Sequence, residues 1–321
     1  MAGQGPSMKN EVSEKNNSNK RLRRIGIYGG VGFGVVLAGV ITGIVLAKVV
    51  RPDQTQYLVD EVTVDMKSVI ASYNKAKASG NYLSLKPDEA VNAAYYLFEQ
   101  LENTYTVGIG GSVADLGHVK IRIESRTIKE GDRFFEESNS LGLVNLYDRM
   151  FQEGETTDTY WGDNPNYASH EKKTYSNAEY KEMMGRNVSN GLIYIVAPGT
   201  LLEGDPLSGE GPTSFTKNEG GGYKVEIELD PKKGVLNYQK QMQTISSLKY
   251  PPPFEYCHLT FYLDDELLPK RFVTHERYTA TTGAGFGSPA TQSLVTEYHL
   301  GTPDYGFPSP DSTLPAYPET L

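Results

Sequence analysis

Histidine is the side chain that most often carries acid–base and metal chemistry near neutral pH. This chain has five, which are scattered: His118, His170, His258, His275 and His299. No H-E-x-x-H motif is present, and the single cysteine, Cys257, has no second cysteine with which to build a zinc site. On a strand, Cys257 and His258 point to opposite faces. The pattern predicts structural histidines and no bound metal.

Serine chemistry has equally incomplete motifs. The stretch "GGSVA" (110–114) ends in alanine where a nucleophile elbow needs glycine. The S-x-x-K spacing of penicillin-binding enzymes occurs at Ser72/Lys75, Ser214/Lys217 and Ser246/Lys249, without the companion S-D-N and K-T-G motifs. Adjacent acids such as Asp264 and Asp265 are typical of a solvated turn. We therefore expect no cofactor and no enzymatic activity.

The glycine-rich stretch "RIGIYGGVGFGVVLAGVITGIVLAKVV" (24–50) is no phosphate loop. Gly32 and Gly34 supply a G-x-G, but Leu37 occupies the third glycine position and no Lys-Ser or Lys-Thr follows. Instead, residues 25–47 form an uncharged run of 23 residues, which as a helix would span about 34 Å. No small-residue cleavage site follows it, and Cys257 cannot serve a lipoprotein signal. Residues 25–50 are predicted to be a retained transmembrane helix.

Charge gives the orientation of this helix. Lys20, Arg21, Arg23 and Arg24 precede it, so the positive-inside rule leaves residues 1–24 in the cytoplasm as a basic, disordered tail. The rest is then extracytoplasmic. Residues 51–321 carry 24 basic and 38 acidic side chains, a net charge of −14. Such an acidic domain is a poor partner for nucleic acid.

Small residues recur along the predicted helix at spacings of four. Gly26, Gly30 and Gly34 form one stripe, and Gly39 and Gly43 form another G-x-x-x-G pair. Small residues let two helices approach closely in lipid, although glycine is also frequent in spans that do not associate. A cell-envelope interaction or scaffold protein that forms homo-oligomers through this helix is therefore an alternative function.

The remaining chain alternates between helical and strand periods. Helices are expected over 57–79, from Pro87, from a capping box at Ser176 and Glu179 to a stop at Gly185, and from Asp230 through 231–248. Alternating strands and apolar strands fill the rest, including "HVKIRIES", "GLIYIVAP", "GYKVEIEL" and three closing strands. Hairpin turns are predicted at "KEGD" (129–132) and at Gly154. This order predicts one α+β domain over 51–300, with a large curved antiparallel sheet and packed helices, and a proline-rich tail over 301–321.

The element order over about residues 57–300 resembles the curved half-barrel domain of bacterial lipoprotein carriers and of mycobacterial lipid-binding lipoproteins. Its ending, "LTFYLDDELLPKRFVTHERYTA", has the strand, acidic turn and strand that follow a helix there. Unlike those proteins, this chain keeps its predicted helix. A cone-shaped sheet like that of nuclear-transport-factor-like domains is the rival shape.

The resemblance implies a pocket for an apolar or amphipathic, lipid-like ligand between the sheet and its helices. A count of 22 tyrosines suits a pocket that meets water, and equally a partly solvated sheet. The candidate lining residues, which could also be plain core, are Tyr95, Phe98, Ile121, Ile123, Tyr194, Val225, Ile227, Phe261 and Tyr262.

The predicted topology can be tested on intact cells. Because residues 52–321 should lie outside and residues 1–24 inside, added protease should digest the C-terminal domain and spare an N-terminal tag. Permeabilised cells, in which both ends become accessible, serve as the control. Protection of both ends in intact cells would contradict the topology.

Overall fold

The computed structural model describes residues 63–114, 119–142, 145–184, 192–202, 213–245, 250–281 and 287–321. The predicted transmembrane helix, with its glycine stripes, lies outside these ranges. Among the described residues, no helix has the length and apolar character needed to cross a membrane.

Two helices begin the described chain, and their boundaries have local causes. Helix α1 (Met66–Ser79) starts after Asp65, whose side chain accepts a hydrogen bond from the backbone N–H of Ser68. It therefore begins later than the helical period predicted. Helix α2 (Pro87–Glu99) has its proline in the first turn, as predicted, and Glu89 accepts from the N–H of Lys86.

The strand patterns assemble into one antiparallel sheet of 11 strands in the described residues, in the order β6-β5-β4-β3-β2-β1-β11-β10-β9-β8-β7. This confirms the predicted α+β class with a large antiparallel sheet. The strands are β1 (Asn103–Ala114), β2 (Val119–Glu130), β3 (Arg133–Leu141), β4 (Leu146–Glu153), β5 (Thr156–Gly162), β6 (Glu171–Ser176), β7 (Ser214–Lys217), β8 (Tyr223–Glu228), β9 (Phe254–Leu263), β10 (Pro269–Thr281) and β11 (Gly287–Leu300).

Turns join neighbouring strands where the sequence predicted hairpins. Gly131 and Gly154 take positive φ values of 60° and 59° between β2 and β3 and between β4 and β5. The acidic turn between β9 and β10 is held by Asp264, whose side chain accepts from the backbone N–H groups of Glu266 and Leu268. These turns set the registers that alternate the side chains of each strand between two faces.

Helix α3 (Asn177–Met184) begins after the predicted capping box, in which the Ser176 hydroxyl donates to Glu179. Its predicted stop, Gly185, lies outside the described residues. Helix α4 (Leu236–Ile245) begins six residues after the predicted Asp230 cap, so that boundary was wrong. Asp230 instead closes a tight turn, because its side chain accepts from the N–H of Lys232 and its carbonyl from that of Gly234.

The predicted strand "GLIYIVAP" was also wrong. Residues 192–197 form no strand, although most of their side chains are buried. Their backbone groups bond elsewhere: the N–H of Ile195 donates to the carbonyl of Gly234, and the Asn92 amide of α2 donates to the carbonyl of Val196. The segment is an apolar connection pinned between α2 and α4, and periodicity does not distinguish this from a buried strand.

All four helices contact the same face of the sheet. Helices α1, α2 and α4 pack with inward side chains of β8, β9 and β10 in the main apolar core. Phe134 of β3 and Met150 of β4 pack against Tyr180 of α3. Pairing from strand to strand shows that these two residues lie on the same face as the main core. We call this the inner face and the opposite one the outer face.

Strand β1 approaches its neighbours too closely for a side chain at Gly110. A Cβ added there would lie 2.2 Å from the Ser293 carbonyl oxygen and 2.7 Å from the Leu294 Cα, and these backbone atoms cannot move aside. We predict that Gly110→Ala lowers the free energy of unfolding by about 3 kcal/mol, at the high end for overpacking. Thermal and chemical denaturation would measure the loss.

The neighbouring Gly111→Ala is the matched control, because its Cβ would meet only the Ile121 carbonyl oxygen, at 3.1 Å. This variant should lose clearly less stability. Equal losses at the two positions would contradict the argument from close approach.

Candidate ligand-binding site

Most of the predicted lining residues lie on the inner face. Tyr95, Tyr194, Val225, Ile227 and Phe261 are buried members of the main apolar core. Ile121 and Ile123 are on the same face but form a separate small cluster with Leu294. Phe98 is half-buried against Tyr298, at 5.2 Å between ring centroids. The prediction was wrong for Tyr262, which lies on the outer face because it directly follows the inward-facing Phe261 on the same strand.

Aromatic rings join helix α2 to the centre of the sheet. The Tyr95 ring meets Phe261 edge-on at 6.0 Å, and Phe261 stacks on Phe272 of β10 at 4.4 Å. The hydroxyls of Tyr95 and Tyr298 lie 2.6 Å apart, so each ring satisfies its polar tip inside the core. Tyr95 therefore links the apolar wall of the inner face to a tyrosine hydroxyl pair.

A glutamate is buried at the centre of this face. Glu276 of β10 has no solvent exposure. Its carboxylate accepts hydrogen bonds from the hydroxyls of Tyr194 and Tyr238, at 2.9 and 3.0 Å, and from the side-chain amide of Gln292, at 2.8 Å. Cys257 is its register neighbour on β9. In the described part of the chain, its hydrogen-bond donors are thus all neutral.

Burial dominates the electrostatics of this glutamate. It raises the pKa of Glu276 to about 7, and the two tyrosine hydroxyls only partly offset it. The same burial, with the nearby carboxyl, raises the pKa values of Tyr194, Tyr238 and Cys257 well above their ordinary range. The tyrosines therefore stay protonated and donate. Sequence reasoning missed Glu276, although strand alternation places this acid on the face of Phe272 and Tyr278.

A set of buried hydroxyls lies beside the apolar core on the inner face. Ser138, Ser140, Thr274 and Thr296 are at most 3% exposed, and their hydroxyl oxygens have no hydrogen-bond partner among the described residues. Residues paired across neighbouring strands form rows that run perpendicular to the strands. Thr296 and Ser138 lie at the two ends of one such row, and Thr274 and Ser140 lie at the two ends of the next row. We call these four residues the hydroxyl belt.

The apolar side chains of this face form more than one cluster. The small Ile121, Ile123 and Leu294 cluster and the Phe134, Met150 and Tyr180 cluster are each separate from the main core. A domain of this size usually has one contiguous core with small satellites, and buried hydroxyls usually have partners. The inner face therefore combines an apolar wall with unsatisfied polar groups.

Two histidines that are distant in sequence meet on the outer face. His258 and His275 are register neighbours on β9 and β10, with nearly parallel rings 6.1 Å apart. His275 Nδ1 lies 2.7 Å from the Ser293 hydroxyl, and His258 Nδ1 contacts the Glu228 carboxyl. The described residues contain no group of three or more His, Cys, Asp or Glu side chains arranged to hold a metal ion.

Burial acts against charge on both Glu228 and His258. It raises the pKa of Glu228 to about 7 and lowers the pKa of His258, so desolvation favours the neutral form of each side chain although the two are in direct contact.

The serine–lysine pairs that the structure describes do not meet. The Ser72 hydroxyl donates to Glu89, at 2.8 Å, and the Ser214 hydroxyl to Glu226, at 3.3 Å. Lys217 contacts Asp265, at 3.4 Å. The third pair, Ser246/Lys249, lies outside the described residues.

A charged cluster lies on the outer face under the C-terminal residues. Arg126 and Arg149, on β2 and β4, each lie about 3 Å from the Glu137 carboxylate on β3, and all three side chains are at most 5% exposed. Tyr317 donates a third contact to Glu137, at 2.9 Å. A cavity of about 430 Å³ opens beside this cluster, between strands β2–β4, the loop at 165–168 and residues 311–317.

The comparisons with known proteins give distant matches only. No protein-family model and no curated protein matches the chain. Among solved structures, an outer membrane lipoprotein-sorting protein domain from Vibrio parahaemolyticus is 8% identical, with 68% of this chain and 94% of that chain covered and a TM-score of 0.23. A DUF1329 family protein from Desulfovibrio piger is 10% identical, with 72% and 90% covered and a TM-score of 0.23. At these TM-scores neither structure carries a conclusion about the function of this chain.

The buried glutamate makes a prediction about pH. The folded protein holds a proton on Glu276 up to about pH 7, whereas the unfolded chain releases it near the ordinary value of 4.5. Stability should therefore fall as pH rises through this window, by roughly 3 kcal/mol in total. Glu276→Gln keeps the shape and removes the titration, so thermal unfolding between pH 5 and pH 8 should show a smaller loss.

The exposed Glu102→Gln is the control, and its melting temperature should follow that of the parent over this range. Because Glu228 titrates in every variant, the informative quantity is the difference between Glu276→Gln and the parent at each pH. Parallel curves for these two proteins would contradict the assignment of the proton to Glu276.

Proposed function

We propose that this chain is a membrane-anchored, extracytoplasmic binding protein for an amphipathic, lipid-like ligand and is not an enzyme. The observation that carries the proposal is the hydroxyl belt beside the apolar core on the helix-covered face. The ligand's apolar part would lie against the aromatic wall of Phe261 and Phe272. Its polar part would accept and donate hydrogen bonds at the belt. The anchor is the predicted helix over 25–50.

Helix contacts support an enclosing sheet. Helix α3 packs on β5 and β6 and also touches α4. The Tyr238 side chain of α4 lies against Phe254 of β9 and Glu276 of β10. Strands β5 and β10 are six positions apart, about 29 Å in a flat sheet, whereas packed helix axes are about 8–10 Å apart. A curved sheet whose two sides approach each other accounts for this contact and gives the inner face an interior.

Close strand approach supports the same curvature. A Cβ at Gly108 would lie 2.3 Å from the Ser125 hydroxyl oxygen, and Gly110 is similarly crowded by β11. Glycine inside a strand often marks a tight bend or a close backbone approach. Both glycines lie on the inner face between the two halves of the hydroxyl belt. A bend at these glycines would place the belt where an interior is deepest.

The belt gives the proposal a direct test. The double variant Ser138→Ala/Ser140→Ala removes two unpaired hydroxyls, so it should leave the melting temperature unchanged or slightly raised. If the hydroxyls hold a ligand's polar part, the same variant should bind a fluorescent anthroyloxy-labelled fatty acid at least fivefold more weakly. Titration of the probe into the full chain in detergent micelles measures both proteins.

Thr127→Ser is the matched control, because its hydroxyl on the same face is paired with that of Thr106, at 2.7 Å, and the pair survives the change. Native mass spectrometry after mild extraction should find a lipid bound to the parent and less of it on the double variant. A parent that binds no probe and retains no lipid would overturn the proposal. Equal binding of the probe by the parent and the double variant would show that the hydroxyl belt is not part of the ligand site.

A further inference from the structure

The last residues of the sequence form a strap over the outer face. Residues 301–321 contain five prolines and form no helix or strand, as expected for the predicted proline-rich tail. They are nevertheless held across strands β2, β3 and β4. We call residues 303–321 the strap. Two glycines with positive φ, Gly301 at 86° and Gly306 at 70°, lie where it leaves β11.

Four arginines of the sheet hold the strap by its backbone. Arg149 donates to the carbonyls of Pro310 and Ser312, at 2.9 and 2.7 Å, and Arg126 donates to that of Pro315, at 2.7 Å. Further contacts run from Arg122 to the Pro318 and Glu319 carbonyls and from Arg271 to that of Leu321. Because the acceptors are carbonyls, this recognition needs an extended backbone more than a particular side-chain sequence.

Phe307 and Tyr317 make the closest aromatic contacts of the strap, and Tyr305 lies farther away, 5.9 Å from the Arg126 guanidinium. The Phe307 ring lies under the Arg133 guanidinium, at 4.4 Å, and beside Phe135 and Phe151. The Tyr317 ring lies 4.0 Å from the Arg126 guanidinium, and its hydroxyl reaches Glu137. Aromatic and arginine contacts to an extended, proline-rich segment are a recurring mode of peptide recognition, in which proline limits the entropy lost on binding.

We propose that this outer-face groove is a peptide-binding site, and that the strap of a second copy of this chain can occupy it in exchange for the resident strap. The one sequence seen to fit the groove is the chain's own. The strap makes no strand pairing with the sheet, so its departure breaks no ladder hydrogen bonds. Gly301 and Gly306 provide a hinge between β11 and the strap. Exchange of an identical element between protomers is a low-cost route to a dimer.

The exchange can be tested with a variant of this chain, called the host, whose own strap binds its groove more weakly. Phe307→Ala/Tyr317→Ala removes both aromatic anchors but leaves Glu137 between its two arginines, so the charged cluster stays paired. A tagged host of this kind should capture an untagged wild-type chain from detergent solution. The matched donor carries the same two substitutions in its own strap. We expect at least fivefold more capture of the wild-type donor, because only its strap can fill the open groove.

The matched donor also removes any background from association of the predicted membrane helices, since both donors carry that segment. A synthetic peptide of residues 301–321 should bind the host and compete with capture. Circular dichroism of the host must match that of the wild type, and Phe307→Leu/Tyr317→Phe serves as a gentler host if it does not. Equal capture of the two donors, or peptide binding without preferential capture, would overturn exchange. Neither result depends on whether the inner face binds a lipid.

Discussion

The pairing of β1 with β11 is the constraint on which the rest of the sheet depends. It joins the first six strands to the last five through a register in which Ala114 faces Ala290 and Thr104 faces Leu300. These partners are 176 and 196 residues apart in sequence, so the chain must close a very long loop before the central ladder forms. Gly108 and Gly110 permit the close approach at this junction. The inner face is continuous only because this pairing is made.

Successive side chains of each strand alternate between the two faces of the sheet, so the inner and outer faces carry different kinds of residue. Every other residue of a strand faces the helices and carries the aromatic core, the hydroxyl belt and Glu276. The residues between them face outward and carry the arginines that hold the strap. A one-residue slip in any strand would exchange these sets. The proposed lipid site and the proposed peptide groove thus share strands such as β2, on which Ile123 faces inward and Arg122 and Arg126 face outward.

Local chemistry allowed much of this fold to be predicted. The proline at α2, the capping box at Ser176 and the hairpin glycines depend on near neighbours, and they were found where expected. The edge strands β6 and β7 were missed, because "EKKTYS" and "SFTK" are polar, as sheet edges exposed to water tend to be. The pairing of His258 with His275 depends on the exact register of the β9–β10 hairpin, which no spacing in the sequence reports. Alternation with Phe272 and Tyr278, by contrast, was a usable signal for the burial of Glu276.

Two buried glutamates show opposite ways of keeping a carboxyl inside a protein. Glu276 has neutral donors and keeps its proton to about pH 7, which avoids a buried charge. Glu137 lies buried between Arg126 and Arg149, and a buried ion pair is tolerable only when its remaining polar atoms are also bonded. The strap carbonyls accept from one guanidinium nitrogen of each arginine. The strap therefore contributes to the electrostatics of the outer face, and because any copy's strap offers the same carbonyls, exchange between copies would preserve these bonds.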